Sequence, residues 1–115
     1  MKLIIAIIQP HCIDPVKREL NEAGVTRLTV MDCQGFGQQE GKSGVLGTEE
    51  AKLNLRHKLQ LQIAVNEDFV EPTVQAIVRG ARTGQHGNIG DGKIFVLPLD
   101  ETVRVRTGER GPDAV

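Results

Sequence analysis

The chain contains no tryptophan and no tyrosine, and only three phenylalanines among its 115 residues. A core without large rings must be assembled from Ile, Val, Leu and Ala. An excess of charge is missing too: 14 Lys and Arg stand against 15 Asp and Glu, a formal net charge of −1 mixed along the chain. That balance gives no electrostatic footprint for duplex nucleic acid or an anionic membrane. Cys12 and Cys33, the two cysteines, lack metal-ligand spacing and read as free, small hydrophobes in a reducing compartment. His11, His57 and His86 are scattered without partners at a fixed ligand spacing, which argues against a metal centre held by histidines. No Ser-His-Asp order, H-E-x-x-H motif or pair of acids on one helix is visible, so an enzyme is disfavoured. No apolar run is long enough to span a bilayer. Met1 to Ile8 begins like a signal peptide, but its apolar run stops at Gln9-Pro10 without a small-residue cleavage site. It reads instead as a buried strand of a cytoplasmic protein.

Glycine, by contrast, is plentiful. Gly87-Asn88-Ile89-Gly90-Asp91-Gly92-Lys93 places three glycines and a lysine in one short loop ahead of the apolar run Ile94 to Leu97. Glycine accepts positive φ and lets successive N–H groups converge on an anion, and Lys93 adds a point charge where a phosphate would lie. The spacing satisfies the first seven positions of a Walker A loop, G-x-x-x-x-G-K. It then departs from it, because Ile94 stands where a Ser or Thr would meet Mg²⁺ and a strand follows instead of a helix. The glycine order also differs from the dinucleotide fingerprint. The plain alternative is a Gly-rich turn whose lysine faces water.

One domain covers residues 1–115, small enough that subunit contacts would add considerably to its stability. Lys2 to Ile8 is apolar on both faces, as a central strand covered on both sides should be. Asp14-Pro15 signals a helix start, Val16, Leu20 and Ala23 mark its buried face, and Gly24 closes it. Thr26 to Cys33 reads as a second strand. Gly35 to about Asn54 has no sustained period, and loops this long are usually functional or disordered. Lys58 to Val65 alternates Leu59, Leu61, Ile63 and Val65 against Lys58, Gln60, Gln62 and Ala64. Asp68 and Glu71 have capping-box spacing ahead of a helix with Val70, Val74, Ile77, Val78 and Ala81 as its buried stripe. Lys93 to Leu97 is a fourth strand, and Thr102 to Thr107 alternates Val103 and Val105 against Arg104 and Arg106. The tail, 109–115, is expected to be flexible. The order βαββαβ predicts an α+β, ferredoxin-like fold with both helices on one sheet face. The other face then needs a cover, and self-association supplies it.

Arg104 and Arg106, two apart in a strand, would leave one face and grip a phosphate chain together with Lys93. A solvated strand face is the plain alternative. Gln39 at the base of the long loop can offer an amide oxygen to Mg²⁺, or be an ordinary polar loop residue. Lys58 can pair with a small carboxylate, or be an exposed strand-edge lysine.

Taken together, Ile7-Ile8-Gln9-Pro10, Thr29-Val30, Gly35 to Gly41, Ile89 to Val96 and Val103 to Glu109 resemble the PII signal-transduction family over nearly the whole chain. The resemblance implies a homotrimer with ATP or ADP between neighbouring subunits and a T-loop, about 37–54, projecting from each. It implies that Gly90, Asp91, Gly92 and Lys93 form a phosphate-binding B-loop within about 83–92. Arg104 and Arg106 would reach the nucleotide across the subunit boundary, while Thr29, Gly35, Gly37 and Gln38 line the near side. Gln39 is similar to the family's Mg²⁺ ligand, and with Lys58 it would hold 2-oxoglutarate. The function implied is non-enzymatic nitrogen, carbon and energy signalling in the cytoplasm, with a target enzyme or membrane transporter regulated through the T-loop and no nucleic acid or membrane insertion involved.

The chain also departs from the family pattern. Ala51 stands where nucleotidylated members carry tyrosine, which excludes tyrosine modification. Gln38 replaces a common arginine, Gln60 and Gln62 replace commonly charged residues, and Gln85-His86-Gly87 lengthens the B-loop. These features are similar to branches linked to nitrogenase, transport or metal efflux. The competing readings are an adenine-nucleotide sensor answering to bicarbonate or another small anion, and a slow ATPase.

Overall fold

The computed structural model describes residues 1–36 and 55–115. Four antiparallel strands, β1 (Lys2–Ile8), β2 (Thr29–Gly35), β3 (Arg56–Val65) and β4 (Gly92–Pro98), form one sheet in the order β2-β3-β1-β4. Helices α1 (Ile13–Glu22) and α2 (Val70–Ala81) complete the expected ferredoxin-like split βαβ arrangement. Register fixes what each sheet face carries. Ile4 lies opposite Ile63 and Ala6 opposite Leu61, and these four join Val16, Leu20 and Ile77 in the buried core. Side chains alternate between faces, so Leu3, Ile5 and Ile7 point the other way, with Gln60, Gln62, Phe95 and Leu97 opposite them. Among the described residues, no helix covers that second face. Phe95, Val96 and Leu97 of the edge strand remain exposed.

Local chemistry shifts several expected boundaries. Pro10–Cys12 forms a 3₁₀ turn that runs straight into α1, so the helix starts at Ile13 and Pro15 falls within its first turn instead of marking its first residue. Likewise Glu67–Phe69 is a 3₁₀ turn ahead of α2, and no side-chain cap comes from Asp68. Instead the Thr73 hydroxyl donates to the Phe69 carbonyl at 2.6 Å. Buried positions on α2 include the small residues Thr73, Ala76 and Gly80, whereas Val70 and Val74 pack on the core only partly buried. A Cβ on Gly80 would lie 2.6 Å from the Val16 Cα, so α1 and α2 cross at a point where no side chain fits between them. β2 begins at Thr29, three residues later than the pattern indicated.

The Val103-to-Arg106 alternation does not make a strand. A single bridge pairs Val103 with Arg110, Arg104 N–H donates to the Glu109 carbonyl at 2.9 Å, and Gly108 N–H to the Arg104 carbonyl at 2.7 Å. The segment is a tight hairpin turned at Gly108, φ +72°, and Arg104 and Arg106 therefore do not share a strand face. The segment beyond it, expected to be a flexible tail, contains the 3₁₀ turn Gly111–Ala114 with Ala114 buried.

Candidate functional site

Residues 82–91 link α2 to β4, and the loop is shaped by its own polar groups. The Asp91 carboxylate accepts the Thr83 hydroxyl at 2.6 Å, the Thr83 N–H at 2.9 Å and the Asn88 N–H at 2.9 Å. Asn88 in turn donates its side-chain amide to the Thr83 hydroxyl at 2.8 Å. Burial pushes the Asp91 carboxyl up, but these hydrogen bonds and the nearby Lys58 charge outweigh it and hold the group below its ordinary value of 3.8. A carboxyl lowered in the folded state contributes stability that is present above the unfolded value and lost as pH falls through the folded one. Acidification below about pH 4 should therefore loosen this loop before the sheet, read as lost exchange protection at the Thr83 and Asn88 amides. Asp91→Ala should have the same effect at neutral pH, at a cost of about 1–3 kcal/mol for the donors left unpaired.

Where the loop meets β4, Gly92 adopts φ +122°, and a Cβ there would lie 1.8 Å from the Ile7 carbonyl oxygen. The backbone is pressed against β1, so Lys93 leaves the loop at a fixed position. Among the described residues no hydrogen bond or ion pair engages Lys93, which is exposed.

Lys58 is 8% exposed, not the open strand-edge lysine that its sequence context also allowed. Its Nζ donates to the Gly90 carbonyl at 2.8 Å, and the Gln9 side-chain amide donates to the same oxygen at 2.9 Å. Gly35 makes room for the lysine stem, since a Cβ on it would touch Lys58 Cγ at 3.4 Å. Among the described residues only one of the three ammonium donors meets a protein acceptor, and no carboxylate lies within ion-pair distance. A buried ammonium with donors to spare is a site for an anion.

Register places several of the expected residues on one sheet face, spread from one edge strand to the other. Cys33 lies opposite Lys58, Thr29 opposite Gln62 and Gly35 opposite Arg56, while Ile7 lies opposite both Gln60 and Lys93. Thr29, Gly35, Lys58 and Lys93 thus occupy the sheet face that lacks helices. Around the edge of β4, a cleft of about 550 Å³ separates the loop from the C-terminal end of α2, with Ile8, Ile77 and Ile94 among its apolar walls and Arg82, His86 and Lys93 at its polar rim. Thr29, Gly35 and Lys58 do not line it. Arg104 is held by Glu109 at 2.8 Å and by the Asp113 carbonyl at 3.1 Å, whereas Arg106 has no such partner among the described residues. Gly37, Gln38 and Gln39, with the rest of the expected T-loop at 37–54 and its Ala51, lie outside the described residues.

Gln9, Thr83 and Asn88 complete the loop's framework and were not singled out in the sequence. Asn88 three residues before Asp91 is a spacing that side-chain-to-backbone turns favour. Nothing local marks Gln9, which meets Gly90 only through the sheet. Among the described residues there is no group of three or more metal-ligating side chains, and no helix long and apolar enough to cross a membrane.

Comparison with known proteins agrees with this geometry. The family model described as nitrogen regulatory protein P-II matches residues 1–109. The nitrogen regulatory protein GlnK1 of Methanosarcina mazei is 48% identical over 115 residues, spanning 100% of this chain and 97% of that protein. The nitrogen regulatory protein P-II of Azospirillum brasilense is 42% identical over the full length of both. Among solved structures, Arabidopsis thaliana PII bound to citrate matches with a TM-score of 0.79 and 39% identity, covering 99% of this chain and 91% of that one.

Proposed function

Because the chain belongs to the P-II nitrogen regulatory protein family, whose members are signalling proteins and not enzymes, we propose that it is a sensor of adenine nucleotide and of a small carboxylate. In this reading three copies assemble through the helix-free sheet face and the exposed edge strand β4. ATP or ADP binds between neighbours, and loop 37–54 carries the signal to a target enzyme or membrane transporter in the cytoplasm. Exposed apolar side chains support the assembly: Val105 at the hairpin tip is 98% exposed, and Phe95, Val96 and Leu97 are each exposed by 40% or more. Exposed large apolar side chains in such number are suited to burial against another copy.

The observation that carries the reading is the placement of two lysines, Lys58 from β3 and Lys93 from the start of β4, at the two ends of the Gly90–Gly92 turn. Gly90, Asp91, Gly92 and Lys93 hold the phosphates. The loop fits such a group because Gly92 sits where a side chain cannot, leaving backbone and Lys93 to face the ligand. Asp91 serves by shaping the loop, since its carboxylate is engaged by Thr83 and Asn88. Thr29 and Gly35 line the near side with Gly37 and Gln38, and Arg106, with Arg104, reaches a neighbour's nucleotide from the hairpin. Lys58, with Gln39, takes 2-oxoglutarate, and Gln39 completes the coordination of Mg²⁺ carried by ATP. That the Arabidopsis relative was crystallised with citrate supports a carboxylate as the second signal. Ligand choice then sets the conformation of loop 37–54 and hence the affinity for the target.

Calorimetric titration of ATP with Mg²⁺, alone and with saturating 2-oxoglutarate, tests this. Tighter ATP binding with 2-oxoglutarate is the expected result, because coupling between two ligands is reciprocal. Unchanged ATP binding would transfer the second signal to another small anion such as bicarbonate, and absence of ATP binding would sink the nucleotide reading.

A further inference from the structure

The Gly90 carbonyl oxygen receives two side-chain donors from two different strands' ends. Gln9 reaches it at 2.9 Å from just beyond β1, and Lys58 at 2.8 Å from β3. Both contacts are distant in sequence, with separations of 81 and 32 residues, so they tie the loop to the sheet where its internal bonds cannot. Gly90 itself has φ +100°. Peptide planes flanking such a residue can rotate, and the orientation of this carbonyl decides where the N–H groups of Asp91 and Gly92 point.

We propose that Gln9 and Lys58 form a two-donor clamp on the Gly90 carbonyl that positions the Gly90–Lys93 backbone for phosphate, and that Gln9 keeps the carbonyl in place when an anion takes up Lys58. The first half stands on geometry alone, and the second rests on the anion-sensing role proposed above for Lys58. Two features make Lys58 the movable member. Its ammonium has donors without protein acceptors among the described residues, and a carboxylate offers it a stronger, charge-assisted bond than a carbonyl does. Gln9 carries no charge, so an anion has little hold on it. Loop geometry then rests on Gln9 whenever Lys58 is occupied. Gln9 and Lys58 act as positioning residues for the phosphate loop.

Hydrogen exchange on the ligand-free protein tests the clamp directly. The Asp91 N–H, bonded to the Asn88 carbonyl at 3.1 Å, reports loop order. Gln9→Leu should speed its exchange by about fivefold and Lys58→Met by about tenfold or more, as expected for loss of a neutral and a charged donor. Gln9→Lys, which keeps a donor, should restore protection, a rescue that a mere packing role for Gln9 would not give. In the same variants, the tightening of ATP binding by 2-oxoglutarate should shrink in Gln9→Leu and return in Gln9→Lys. Unchanged Asp91 exchange in both Gln9→Leu and Lys58→Met would overturn the clamp. Normal exchange effects with wild-type protein that binds no nucleotide would instead keep the clamp and remove the nucleotide reading, so the two failures are distinguishable.

Discussion

Gly92→Ala should be the most damaging single substitution in the loop, lowering stability by about 3 kcal/mol or more and eliminating nucleotide binding. The new methyl would stand 1.8 Å from the Ile7 carbonyl oxygen, a backbone atom in the central strand that cannot swing aside as a side-chain tip can. Any residue but glycine is strained at φ +122° as well. The two problems cannot be relieved separately, because Gly92 lies opposite Ile8 in the β1–β4 ladder. Rotating φ to suit alanine would break that pairing and carry Lys93 away from its place. Thermal unfolding and ATP titration of the same preparation check this. A variant that melted with the wild type and bound ATP would show that the loop backbone does not need this close approach.

Lys93→Ala should separate binding from folding. The side chain is exposed and, among the described residues, bonded to nothing, so its removal should leave the melting temperature within about 2 °C, as for most surface substitutions. Nucleotide affinity should nevertheless fall about 10- to 100-fold, the worth of one charge-assisted bond to phosphate. Lys93→Arg should recover only part of it, because a planar fork does not replace a point charge at a site shaped by close backbone. Equal losses of stability and affinity would make Lys93 a structural residue.

How far the sequence disclosed this molecule depended on whether the signal was local. β1 was legible to the residue, since seven apolar-rich positions on both faces admit little else. Its double-sided character also announced a second sheet face in need of a cover. Helix starts were misplaced because 3₁₀ turns at Pro10–Cys12 and Glu67–Phe69 precede both helices, and capping spacing cannot distinguish them. In the buried stripe of α2, Ile77 and Ala81 were legible from the periodicity, whereas Thr73, Ala76 and Gly80 were not, and it is the close approach to Val16 that requires Gly80. Alternation at Val103 to Arg106 imitated a strand in the sequence, and only the Glu109 and Gly108 bonds reveal the turn.

For the site, the glycine spacing and Lys93 marked out the loop from the chain alone. The burial of Lys58 was not visible there, because it follows from Gly35 across the β2–β3 pair and from a carbonyl 32 residues away. The contact of Gln9 with Gly90 was invisible for the same reason. Contacts that only the sheet creates leave no mark on local sequence.

Native mass spectrometry of the protein sprayed from a volatile buffer with MgATP addresses the central claim most directly. Three chains carrying three nucleotides should dominate, and Lys93→Ala at the same MgATP concentration should give three chains with much lower nucleotide occupancy. A nucleotide-free monomer from the wild-type protein would contradict both the assembly through the open sheet face and the phosphate-binding role of the glycine loop.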